Sequence, residues 1–161
     1  MAKELKTNAM RFLDNCKISY IVRTYKCDEF IDGVTVAEKL GQTLDRTFKT
    51  LIAQGKSGSY YCFLLPVALE LDLKKAAKSV GEKSVELLCV KDLTKVTGYV
   101  RGGCTPIGMK KQFMTVIHST AEDLVSFYIS GGRIGTQIEV SPQKLIEAVR
   151  GKFENIIQEN L

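Results

Sequence analysis

The chain has 161 residues, of which 45% are hydrophobic and 25% charged, and it carries a net charge of +5. With only 13 glycines and 3 prolines it is not a disordered sequence. Its longest apolar run, Tyr60 to Leu69, has ten residues, against the about 20 that a spanning helix needs. The charged N-terminus is unlike a secretory leader, so we expect one cytoplasmic domain, residues 1–161, with no membrane partner.

The pattern predicts a helix over Lys3–Cys16, with Leu5, Ala9, Phe12, Leu13 and Cys16 on one face. Ile18–Tyr25, rich in β-branched and aromatic residues, reads as a strand. Val34–Leu40 is a short helix stopped by Gly41. Thr47–Gln54 and Ser59–Leu65 read as strands joined by Gly55-Lys56-Ser57-Gly58. Asp72 can cap a helix running to Val80, with Gly81 at its end. Val85–Leu88 is a short strand, and Lys91–Val96 a helical turn. Met114–His118, Leu124–Ser130 and Thr136–Val140 are further strands, with a helix starting after His118 at Ser119-Thr120. Ser141-Pro142 opens a final helix whose apolar stripe is Leu145, Val149, Phe153 and Ile156. Short turns join several strand neighbours, so an α+β fold is expected: a mixed, largely antiparallel sheet with helices packed around it. Tyr99-Val-Arg-Gly-Gly and Tyr128-Ile-Ser-Gly-Gly, 29 residues apart, suggest two similar strand-to-glycine turns.

The positive charge is local. Asp72–Lys111 holds nine basic and four acidic residues, while the remainder balances at fourteen of each. Such an excess is either a solvated helix face or a surface for a polyanion.

Five scattered cysteines without a CxxC pair fit reduced thiols, and a single histidine argues against a metal site. No Walker A loop, HExxH, nucleophile elbow or triad spacing occurs, and no cofactor is expected. His118 has no nucleophile or carboxylate at a recognisable spacing. What stands out is the Gly102-Gly103 turn flanked by Arg101 and Lys110-Lys111, because consecutive backbone N–H groups in a glycine turn can bind an anion. Gly131-Gly132 follows the same logic. In both cases a plain loop that needs glycine for its shape is the competing reading. Lys49 sits in a strand otherwise bound for the core; if Phe48 faces inward, Lys49 faces the other way, where a lysine usually meets water.

Several segments, taken in order, resemble one family. They are Lys6-Thr-Asn-Ala-Met-Arg, Phe48-Lys-Thr-Leu, Pro66-Val, Glu70-Leu-Asp-Leu-Lys-Lys, Thr97-Gly-Tyr-Val-Arg-Gly-Gly-Cys-Thr-Pro-Ile-Gly-Met-Lys-Lys and Ser130-Gly-Gly-Arg-Ile-Gly. The chain is similar nearly end to end to the YbaK/EbsC family of bacterial Cys-tRNA(Pro) deacylases, relatives of the editing domain of prolyl-tRNA synthetases. The resemblance implies a YbaK-type, barrel-like mixed sheet wrapped by helices. It also implies hydrolysis of cysteine wrongly attached to proline tRNA, without a metal, by attack of the substrate's own thiol on the ester. A prolyl-tRNA synthetase is an implied partner, and Cys-tRNA(Cys) a second substrate. Lys49 stands at the family's functional lysine, Gly102 and Gly103 in the glycine turn lining its pocket, and Tyr25 at its mouth. Ser130, Gly131 and Gly132 match the second turn, and Phe48, Thr50 and Arg101 flank these positions as substrate-binding residues. Two positions depart: Cys27 lies where relatives carry histidines nearby, and Gln137 stands where some members have an acid. A deacylase for alanine or serine, and a non-catalytic tRNA- or synthetase-binding module, are the alternatives.

Overall fold

The computed structural model describes residues 5–27 and 31–159. Helix α1 (Asn8–Asn15) is capped by Thr7, whose hydroxyl accepts from the Met10 N–H at 3.2 Å. The helix expected over Lys3–Cys16 is thus shorter. Lys3 itself lies outside the described residues, and Leu5 precedes the helix and is 82% exposed. Strand β1 (Tyr20–Thr24) follows, then α2 (Gly33–Lys39), capped by Asp32. Strands β2 (Phe48–Gly55) and β3 (Tyr60–Pro66) form the expected hairpin. Helix α3 (Leu73–Ser79) is capped by Asp72, which accepts from the N–H groups of Lys74 and Lys75, both at 3.0 Å. Then come β4 (Val85–Leu87), α4 (Val90–Thr97), β5 (Met114–His118), β6 (Phe127–Arg133), β7 (Thr136–Val140), α5 (Pro142–Val149) and β8 (Lys152–Glu154). Ser119–Asp123 is a 3-10 turn.

Two sheets result. One has the order β1-β7-β6 and is antiparallel; the other has the order β4-β2-β3-β5-β8, with β5 parallel to both β3 and β8. One isolated backbone bridge, Thr47 to Tyr128, links them, and they do not close into a barrel among the described residues. The α+β expectation therefore holds, with two sheets in place of one barrel-like sheet. No described helix is long and apolar enough to cross a membrane.

The central strand β3 is apolar on both faces because both faces are covered. Cys62 and Leu64 point into a core shared with Phe48, Ile52, Phe127, Ile129, Ile138, α1 and α5. Tyr61, Phe63 and Leu65 point the other way, into a second core roofed by Ala76 and Ala77 of α3. Alternation along one strand thus separates the cores.

Two expectations are corrected. Phe153 and Ile156 do not continue the stripe of α5, because Arg150 turns left-handed (φ +54°) and ends the helix; Phe153 then joins β8. The two Tyr-x-x-Gly-Gly segments are not similar turns either: Tyr99 lies in a loop after α4, whereas Tyr128 to Gly132 lies within β6, which bulges between Ser130 and Arg133.

Candidate functional site

A cleft of about 350 Å³ opens where β2 and β6 part from their bridge, a size within the roughly 300–1,000 Å³ of small-molecule sites. Phe48, Lys49, Thr50 and Leu51 form one wall, Ile129 and Ser130 another, and Arg101, Gly102 and Cys104 lie between them. Asp32 to Val34 at the start of α2, with Val67, complete it, and Tyr25 is at its side. Of the residues singled out by sequence, the fold brings together Tyr25, Phe48, Lys49, Thr50, Arg101, Gly102 and Ser130.

Gly103, Gly131 and Gly132 are not on the wall but behind it. A Cβ on Gly103 would lie 2.9 Å from the Arg133 Cα, and one on Gly131 would lie 2.7 Å from the Thr136 methyl. Gly132 (φ +100°) faces Thr7, whose hydroxyl donates to the Gly131 carbonyl at 2.6 Å. Tyr99 stiffens the same knot by donating to the Ile107 carbonyl at 2.7 Å. These glycines allow close packing behind the cleft. The N-terminal Thr7-Asn8-Ala9 segment is part of that packing: a Cβ on Gly108 would meet the Asn8 backbone at 2.6 Å.

The expected pair of anion-binding amides is also reduced to one. The Gly103 N–H already donates to the Val100 carbonyl at 2.9 Å, closing a turn with Arg101 and Gly102 at its centre. Gly102 has φ +86°, the left-handed value that the third position of a type II turn requires. Its own N–H makes no hydrogen bond to a described residue, and Gly102 lines the cleft. The Ser130 hydroxyl donates to the Gly102 carbonyl at 3.3 Å and fixes the turn.

Lys49 is half-buried. Strand alternation puts it on the face opposite Phe48, and the cleft reaches both faces because the strand edge is open there. Burial lowers its pKa from the ordinary lysine value; Glu70 opposes that shift. Its ammonium makes no ion pair or hydrogen bond with a described residue.

The cleft offers little conventional catalytic machinery. Among the described residues its lining holds no histidine and one acid, Asp32, which is occupied by the Thr35 N–H at 2.9 Å, a bond that holds the carboxyl below its usual pKa. Cys104 is 7% exposed, and burial pushes its thiol up to about 12, so it stays protonated at neutral pH.

Sequence reasoning missed Asp32, Gly33, Thr47, Val67 and Thr136 as lining residues. It also missed Gln42, which forms a reciprocal amide pair with the buried Gln137: Gln42 donates at 2.6 Å and Gln137 returns the bond at 2.9 Å. An acid at position 137 would lack the donor that this pair uses. Such side-chain pairing, 95 residues apart, leaves no local sequence signal.

The basic segment Asp72–Lys111 is not one patch. α3, with Lys74 and Lys78, covers the second core, whereas Leu88 and Leu93 pack α4 onto the first core, across the five-stranded sheet. Lys75 is held by the Ile157 carbonyl at 2.9 Å and by Glu159. The exposed Lys91 and Lys95 are one helical turn apart, and Lys110 reaches the Lys95 carbonyl at 3.4 Å. The chain then runs from Gly98, beside Lys110, to Arg101 at the cleft.

The aminoacyl-tRNA editing domain matches residues 32–148 of this chain. A relative from Enterococcus faecalis (strain ATCC 700802 / V583), named EbsC and described as a Cys-tRNA(Pro)/Cys-tRNA(Cys) deacylase, is 42% identical over 94% of this chain and 93% of its own. Among solved structures, the protein APE2540 superposes with a TM-score of 0.86 at 20% identity, over 94% of this chain and 99% of its own. A structure described as a trans-editing enzyme for prolyl tRNA synthetase gives 0.82 at 19% identity, over 97% of this chain and 100% of its own.

Proposed function

Because the chain belongs to the aminoacyl-tRNA editing domain family, we propose that it acts in trans as a deacylase that removes cysteine from mischarged Cys-tRNA(Pro), with Cys-tRNA(Cys) as a second substrate. Residues 1–161 form one editing domain in this reading, working in the cytoplasm where tRNA is charged.

The observation that carries the reading is the shared cleft: Lys49 and Gly102, whose N–H is unbonded among the described residues, line one cavity in which no described residue is an activated nucleophile. A site of this kind can orient and stabilise, so the nucleophile comes from the substrate. The cysteine sulfur attacks the ester carbonyl and forms a C–S bond. The C–O bond to ribose breaks, and the ribose oxygen takes the thiol proton. The four-membered thiolactone that results is opened by water to give cysteine. Holding thiol and ester in a reactive pose is worth up to roughly 7–11 kcal/mol in favourable intramolecular systems, and ring strain in the four-membered product lowers that figure. The Gly102 N–H, as one well-placed oxyanion donor, supplies roughly 3–4 kcal/mol. The Lys49 ammonium anchors the terminal adenosine or its phosphate and fixes the ester. Arg101 at the mouth receives the RNA, and a prolyl-tRNA synthetase supplies selectivity for the tRNA.

The test is deacylation of Cys-tRNA(Pro) beside Ser-tRNA(Pro) and Ala-tRNA(Pro), with and without prolyl-tRNA synthetase. Rapid loss of cysteine alone supports the thiol route. Serine released as fast as cysteine rules that route out, and no loss from any substrate leaves a binding module.

A further inference from the structure

Thr50 lines the cleft, and three of its polar groups have no partner among the described residues. Two are backbone groups, and the register of β2 shows where they point. The Val67 N–H donates to the Thr47 carbonyl at 2.8 Å, and the Gly55 N–H to the Ser59 carbonyl at 2.8 Å. Both belong to the antiparallel register that pairs Thr50 with Leu64. Hydrogen-bonded and non-bonded pairs alternate in such a ladder. Odd-numbered residues of β2 therefore face β3, and even-numbered residues face the other edge.

That other edge is filled only in part. β4 pairs with Ala53, Gln54 and Gly55, and the Leu88 N–H adds a bond to the Ile52 carbonyl at 2.9 Å. Continuing that register, the partner of Thr50 would be Val90, but Val90 is the first residue of α4. From the opposite end, β6 meets β2 only at the Thr47–Tyr128 bridge before parting from it. The Thr50 N–H and carbonyl are thus left facing the gap. The third group is the Thr50 hydroxyl, which is buried without a hydrogen bond. Native proteins leave few buried polar groups unsatisfied, and each costs about 1–3 kcal/mol. A buried, unpartnered hydroxyl beside an open backbone edge at a cleft wall marks a ligand edge.

The chemistry of that edge selects its ligand. It offers a donor and an acceptor side by side in one plane. Within the terminal aminoacyl-adenosine that enters the cleft, the ester carries acceptors only, the α-ammonium donors only and the phosphate acceptors only, and a ribose hydroxyl carries both functions on one atom rather than side by side. Adenine carries the N6 amino donor beside a ring-nitrogen acceptor. We propose that Thr50 is the adenine-recognition residue of the cleft: its carbonyl accepts from N6, its N–H donates to the adjacent ring nitrogen, and its hydroxyl supplies a third bond. The inference rests on the deacylase reading only for why a terminal adenosine enters. It places the base on β2 next to Lys49, which leaves the ester end of the nucleoside to Gly102.

The test uses the intact wild-type protein and three nucleosides: adenosine, purine riboside, which lacks the N6 amino group, and inosine, which replaces it with an acceptor. Binding is measured by calorimetry, and amide hydrogen exchange by NMR. In the free protein, the Lys49 and Leu51 amides, bonded to β3, exchange more slowly than that of Thr50. Saturating adenosine slows Thr50, while purine riboside and inosine bind about tenfold more weakly. Thr50→Val weakens adenosine and Thr50→Ser restores it. Equal affinity for the three nucleosides, no adenosine binding at all, or a Thr50 amide indifferent to adenosine each overturns the proposal. None of these readouts needs catalysis. A protein that deacylates without protecting Thr50 loses only this inference, and one that protects Thr50 but leaves Cys-tRNA(Pro) intact loses only the deacylase reading.

Discussion

The Ser130 hydroxyl donates to the Gly102 carbonyl at 3.3 Å while accepting from the Gly132 N–H at 3.3 Å. One side chain therefore ties the bulge of β6 to the turn that presents the Gly102 amide. Ser130→Ala removes that tie without touching Lys49. We expect kcat to fall about fivefold with a smaller change in KM, since one hydrogen bond of about 1 kcal/mol positions the donor. Unchanged kcat would show that the turn holds its shape unaided. Gly102→Ala is expected to be more severe, because φ +86° strains any residue with a Cβ.

Lys49 has no ion pair among the described residues and stands half-buried at the cleft. Lys49→Ala should leave thermal stability within about 1 kcal/mol of wild type and abolish deacylation. A variant with wild-type stability and wild-type turnover removes Lys49 from the site.

The division of the basic residues predicts which of them meet RNA. Lys91, Lys95 and Lys110 lie on the α4 side, which leads to Arg101 and the cleft; Lys74 and Lys78 lie on α3 across the sheet. Replacing the first three by alanine should weaken tRNA binding and lower the slope of log K against log salt by about 2–3. Replacing Lys74 and Lys78 should leave the slope unchanged. Equal effects from both sets would mean that the RNA contacts both faces.

His118 is 3% exposed, and its Nδ1 accepts from the Ile156 N–H at 3.3 Å, joining β5 to the segment after β8. Burial first, and the Lys75 charge second, hold its pKa below the ordinary 6.5. The unfolded chain then binds a proton more readily than the folded one. Stability is full above about 6.5 and falls as pH drops from there toward the folded pKa. Denaturant midpoints between pH 7.5 and 5 should show that loss, and His118→Gln should flatten it. An identical pH profile in the variant would assign the loss to other groups.

The local signals in the sequence marked elements well where caps and turns are built from neighbours. Asp72 caps α3, Ser141-Pro142 opens α5, and the hairpin after β2 follows from its glycines. They misjudged the end of α5, because Phe153 keeps the apolar spacing but Arg150 breaks the helix. They also gave Gly103, Gly131 and Gly132 to the site. A glycine that lets a ligand approach and one that lets another backbone approach look alike in sequence, and only the contact with Arg133, Thr136 or Thr7 separates them.

By itself, then, the sequence determined the kind of chemistry: a basic, glycine-bearing chain with a strand lysine and no spacing that activates a nucleophile. Periodicity, caps and charge are local and can be counted along a chain. The tertiary structure decided which groups share the cleft. Strand register opens the edge at Thr50, the divergence of β2 and β6 makes the cleft, the bond from Gly103 to Val100 leaves one amide instead of two, and the five-stranded sheet divides the lysines. Each of these depends on partners distant in sequence or on how strands align, and neither composition nor spacing encodes that directly.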